Sequence, residues 1–295
     1  MNFVENVLAR LSSIEVCGYH AGSEAATEPT ALAALALVAH DHYRAAQPHL
    51  DWLLARQAVD GSVGVDAVQP APGWTTAWSV VAWQATQQSP IAASRFATAI
   101  DRALNWIFQI QGSIIEHVEE LGHDTTIKGW PWVQGTHAWV EPTAMNLLAL
   151  RHAGHGSHAR AREAVRLLHD RLLPSGGCNY GNTVVFGQEL RPHLQPTGMC
   201  LLALAGVPDK KGLVEKAVEF ATRELTPRTT CESLSYALLG VAAHGRPPEW
   251  ADRWLAATAE RTLVRDPAAY KLALLALAAQ GETCPLIPRL QPATT

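Results

Sequence analysis

The sequence has little charge, no long apolar run and no paired cysteines. Asp, Glu, Lys and Arg make up 17% of its 295 residues, and the 23 basic and 27 acidic side chains form no block of one sign. That pattern lacks the basic footprint of a nucleic-acid-binding protein. The longest clean apolar run, Ala31 to Ala39, is about half of what a membrane-spanning helix needs. The N-terminus has no basic region followed by an apolar stretch, the mark of an export signal. We expect a cytoplasmic protein without a transmembrane segment, with peripheral membrane contact left open. The five cysteines Cys17, Cys178, Cys200, Cys231 and Cys284 are odd in number and include no Cys-x-x-Cys, which argues against a disulfide framework or a zinc ribbon. Strand signals are scarce, and the best, the run from Thr183 between Gly181 and Gly187, reads as a loop excursion. A Ser nucleophile elbow, a P-loop and a dinucleotide glycine fingerprint are also missing, so no cofactor is expected.

What the chain does have is apolar mass and repetition. Hydrophobic residues make up 48%, ample for a sizeable core. The ten tryptophans exceed what core filling requires, so some are expected to line a cavity. A short polar signal followed by a small-residue apolar run recurs at Glu28 (EPTALAALAL), Trp74 (WTTAWSVVAW), Glu141 (EPTAMNLLAL), Gln195 (QPTGMCLLAL), Cys231 (CESLSYALLG) and Asp266 (DPAAYKLALLAL). An acid or amide before Pro suits a helix start, where the side chain caps free N–H groups and Pro is tolerated at the first helical position. The runs are apolar on all sides, as in buried helices. Between them lie amphipathic stretches with charged faces, such as those from Leu50, Arg102, Ala161, Leu213 and Trp250, which read as half-exposed helices. Six inner and six outer helices close naturally into one all-α domain over residues 1–295, an α6/α6 toroid.

The long links run from outer to inner helices, at Cys17 to Thr27, Val59 to Gly73, Gln111 to Val140 and Pro174 to Leu194. They should therefore share the face where inner helices begin, around a mouth ringed by Glu28, Trp74, Glu141, Gln195, Glu232 and Asp266.

The segment Leu50 to Gly64 (LDWLLARQAVDGSVG), with GGCNYGN from Gly176 and GWPW from Gly129, resembles the repeat of squalene-hopene cyclases and protein prenyltransferase β subunits. The resemblance implies the α6/α6 toroid. It also implies a class II terpene cyclase activity, in which an acid protonates a polyene or epoxide and the partner is a hydrophobic, isoprenoid small molecule. In the stretch Trp139 to Ala144, Glu141 falls where those cyclases place the middle Asp of their D-x-D-D-T-A motif, while Trp139 and Pro142 replace the flanking acids. The prenyltransferase zinc set of Asp, Cys and a late His has no counterpart here, although Cys178, His193 and Cys200 are present, so no metal is expected.

On this reading Glu141 is the proton donor, and His137 and His193, ahead of neighbouring inner helices, orient it. Trp74, Trp130, Trp132, Trp139, Tyr180 and Glu28 form the substrate cavity. Asp124 is a weaker candidate. Two other readings stand beside it. One is a glycan-active α6/α6 enzyme in which Glu141 pairs with Glu28, Asp124 or Glu232; the other is a non-catalytic toroid that binds a hydrophobic ligand or a partner protein.

Overall fold

A computed structural model describes residues 2–86, 94–116 and 119–288. Residues 117 and 118 of the long link from Gln111 to Val140 therefore lie outside the described residues. Among those described, twelve α-helices alternate between two rings. The inner ring comprises α2 (Thr27–Ala39), α4 (Thr76–Ala85), α6 (Val140–His152), α8 (Leu194–Ala203), α10 (Cys231–Ala242) and α12 (Ala269–Ala278). These pack in that order, and α12 returns onto α2 to close the circle. The outer helices are α1 (Phe3–Ser12), α3 (Tyr43–Ala55), α5 (Ala97–Gln109), α7 (Ala159–Asp170), α9 (Leu213–Glu224) and α11 (Ala251–Arg265). The chain is an all-α toroid.

Composition explains the two rings. The inner helices α2, α6 and α12 are buried along nearly their whole length, which Ala and Leu on every side permit. The outer α7 buries only Ala161, Ala164, Leu167 and Leu168, one stripe at helical spacing. The tightest inner contact is at α8 and α10, where two glycines let the backbones meet. A Cβ on Gly198 would stand 2.3 Å from the carbonyl oxygen of Tyr236, and one on Gly240 would stand 2.6 Å from that of Gly198. No described helix is long and apolar enough to cross a membrane.

Threonines in the repeated motif tie the long links to the helices that follow them. The Thr76 hydroxyl accepts from Val63 N–H at 2.9 Å, that of Thr143 from Trp130 at 3.1 Å, and that of Thr197 from Cys178 at 2.9 Å. Each donor lies just beyond a glycine turn. Gly61 (φ 95°) packs on the α5 backbone at Arg102, and Gly176 (φ 101°) on the α9 backbone at Lys216, so neither position has room for a Cβ. Two expectations are corrected. The run from Thr183 is a small antiparallel ribbon, β1 (Val184–Val185) with β2 (Gln188–Glu189), turned through Phe186 and Gly187 at positive φ. The acids and amide before Pro are not helix caps. The caps of α2, α6 and α8 are Ala26, Trp139 and His193, and none makes a side-chain cap bond. Glu28, Glu141 and Gln195 are second residues of their helices, with other partners.

Candidate active site

Inner-helix starts supply the core of the site. Glu28 on α2 and Glu141 on α6 are each only 5% exposed. Tyr19, from the link before α2, donates its hydroxyl to Glu28 Oε2 at 2.8 Å. Gln195 on α8 donates its amide to Glu141 Oε1 at 3.0 Å. The Trp78 indole N–H on α4, which closes no hydrogen bond, lies near enough to Glu28 to favour its charged form. Tyr236 on α10 is buried beside Tyr270 on α12, which sits edge-on to Tyr19 at 5.2 Å. All six inner helices thus contribute to one polar centre.

Burial dominates the electrostatics. It pushes both Glu28 and Glu141 up to about 7, against the opposing hydrogen bonds from Tyr19 and Gln195. The charge of Glu141 raises Glu28 further, and Tyr236 is raised by burial and then by the charges of Glu28, Glu141 and Glu232. With both carboxyls raised to about 7, each is available near neutral pH as an acid and as its conjugate base.

The other acids are engaged elsewhere. Asp266 accepts from Lys271 at 2.8 Å and from Ala21 N–H at 2.8 Å, and those bonds hold it down to about 2. Glu232 lies 3.9 Å from Lys271. Asp124 is also near 2, through the Thr126 hydroxyl and the Arg166 guanidinium. Among the described residues no three His, Cys, Asp or Glu side chains converge as a metal site.

The aromatic candidates are dispersed. Trp139 caps α6, with the His137 ring against it at 4.6 Å. Tyr180 pairs with His193 at 5.2 Å, and its carbonyl accepts from Val140 N–H. His137 and His193 are both exposed; the donor to Glu141 is Gln195. Trp74 and Trp132 meet edge to face at 4.8 Å and, with Trp106, line a recess of about 240 Å³. Trp130 is packed into the wall: 1% exposed, its indole donating to Ile107 O at 3.0 Å and the Arg160 guanidinium 3.8 Å above its ring. Sequence reading missed Tyr19, Trp78, Tyr236 and Tyr270. Tyr236 and Tyr270 do leave a trace, as tyrosines interrupting Ala/Leu-rich inner helices close to their starts.

No family model and no curated protein matches the chain. Solved structures do. A wild-type glycosidase superposes with a TM-score of 0.60 over 97% of each chain at 11% identity. A mutant of a reducing-end-xylose-releasing exo-oligoxylanase gives 0.58 over 90% of this chain and 84% of its own, at 9% identity. A Salmonella α2-macroglobulin gives 0.51 at 13% identity, over 94% of this chain but 17% of its own. At such identities the likeness establishes the toroid alone.

These neighbours overturn the cyclase resemblance, since they are glycosidases and a macroglobulin, not terpene cyclases. The glycine turns that carried the resemblance pin links to outer helices, and packing of that kind encodes no chemistry. The isoprenoid partner is corrected with it. Hydroxyls, an amide and an indole N–H surround the two acids, whereas hydrocarbon recognition needs walls without unsatisfied polar groups.

Proposed function

We propose that this chain is a glycan-active enzyme, a glycoside hydrolase whose acid–base pair is Glu28 and Glu141. The observation that carries the proposal is the placement of two buried glutamates at inner-helix starts, each held by one polar side chain, in surroundings that raise both carboxyls. Hydrolysis of a glycosidic bond needs one carboxyl to protonate the leaving oxygen and a second, ionised, to activate water or attack the sugar. Two carboxyls raised to about 7 meet both needs near neutral pH. Tyr19 and Gln195 hold the two carboxyls in orientation. The Trp78 N–H and the Tyr236 hydroxyl can also serve sugar hydroxyls, and the tryptophan recess offers faces on which sugar rings stack. The glycosidases that share the toroid support this reading over the other two.

The test is hydrolysis of a panel of neutral and acidic oligosaccharides by wild type, Glu28→Gln and Glu141→Gln. Each variant should lose at least about a hundredfold in rate, the lower range for general acid–base catalysis. Aryl glycosides with good leaving groups, which need no proton, should restore the acid variant and not the other, assigning the two roles. A folded wild type inert on the whole panel, or a Gln variant with full activity, would refute the proposal.

A further inference from the structure

A second cavity, of about 530 Å³, opens between the links that precede α6 and α8. Its size falls within the range of small-ligand pockets, about 300–1,000 Å³. None of its lining residues is acidic, whereas Arg171, His123 and His137 all line it, together with Thr125, Thr136 and Asn182. Arg171 is 4% exposed and His123 is 7% exposed, so the positive charge lies inside the wall and not on the surface.

The hydrogen bonds of Arg171 are incomplete. Asp170 takes Nη1, and the Asp124 carbonyl lies at 3.5 Å from both Nη1 and Nη2. Nε is buried with no partner. A guanidinium N–H left unsatisfied in a protein wall is costly unless a ligand or water completes it. The Asp124 carboxylate is bound by Arg166, which leaves Asp170 as the carboxylate paired with Arg171.

His123 supplies a second, independent group. Its Nδ1 lies 2.8 Å from the Leu121 carbonyl, which can only accept, so Nδ1 carries the proton. Nε2 is left as an acceptor in the neutral ring and becomes a donor on protonation. Burial first, then the charges of Arg171 and His137, hold the ring below its ordinary pKa, while the Leu121 bond and Asp170 oppose them. An anion between these groups would reverse that balance.

We infer that this cavity binds the carboxylate of an acidic sugar unit, a hexuronate, at the part of its wall formed by Arg171 and His123. The inference rests on the glycan reading for its ligand class. Trp139 connects the two places: His137 lies against its ring, Gly181 of the cavity wall packs on its six-membered face, and Glu141 follows two residues later. A chain with one sugar at the glutamate pair and a uronate beyond Trp139 would satisfy both.

The experiment uses the full chain with labelled histidines, titrated with glucuronate and galacturonate oligomers, with neutral xylobiose, and with acetate and inorganic phosphate. Uronates should shift the His123 resonances and raise its pKa, and the simple anions at equal concentration should not. Arg171→Gln should weaken uronate binding at least about tenfold, as loss of a charged hydrogen bond does. Since that residue is buried, the nearly isosteric Asn182→Asp provides a second variant. It places a negative charge in the wall and should weaken uronates at least about tenfold while leaving xylobiose unaffected. No His123 response to uronates, an equal response to acetate or phosphate, or unchanged binding by Asn182→Asp overturns the inference. Binding is read without turnover, so a chain that binds uronates and cleaves no glycan would lose the hydrolase reading and keep this site. A chain that cleaves neutral glycans without a His123 response would do the reverse.

Discussion

Gln195 donates its side-chain amide to Glu141 at 3.0 Å across two neighbouring inner helices. Each residue is second in its helix and each is followed by Pro, so the same local motif places an acid on α6 and its hydrogen-bond donor on α8.

Replacing Gln195 by Leu removes that donor. A donor to a carboxylate favours the charged form, so its loss should raise the pKa of Glu141 by about one unit, the equivalent of a hydrogen bond to a charged group. Carboxyl resonances of labelled glutamate, followed against pH, would measure the shift. A Glu141 titration unchanged in the variant would show that the bond does not control the acid.

Stability should fall as pH rises across the range where the pair titrates. Both pKa values are raised from 4.5 to about 7, so between these limits the folded state holds protons that the unfolded state has released. The stabilisation is present below about 4.5, is lost by about 7 and levels off above. At about 1.4 kcal/mol per unit, each group contributes on the order of 3 kcal/mol. Urea unfolding of wild type should weaken between about pH 4.5 and 7, and the Glu28→Gln, Glu141→Gln double variant should show a much flatter profile.

Gly198→Ala tests the close approach of α8 and α10. The added methyl would meet the Tyr236 carbonyl at 2.3 Å, backbone that cannot move aside without spreading the ring. A loss of about 2–3 kcal/mol is expected by chemical denaturation, within the range for overpacking. A variant as stable as wild type would mean that the two helices separate at little cost.

Asp266→Ala should loosen the link that carries Tyr19. Asp266 binds Ala21 N–H, His20 and Lys271, but it is partly exposed, so the global cost should be no more than about 1 kcal/mol. Hydrogen exchange at residues 18–24 should rise while exchange in the inner helices stays constant. Uniform protection across the link would contradict this role.

The toroid was legible because its signals are local. Helical spacing, a recurring Pro-Thr start and Ala/Leu-rich runs each act within a dozen residues, and their alternation leaves few ways to bury every apolar face. The turn glycines were legible too, though they were assigned to the wrong enzymes, because packing motifs report architecture and not chemistry. Glu28 and Glu141 were visible as acids at helix starts, but capping and catalysis look alike in sequence. The tertiary structure replaced capping with burial and specific partners, Tyr19 on one and Gln195 on the other. Arg171 and His123 look like ordinary polar residues along the chain, one at the end of α7 and one in a link. Only the packing of adjacent repeats brings a charge from one against a histidine from another, because contacts between separate segments depend on how the helices pack and not on any pattern within them.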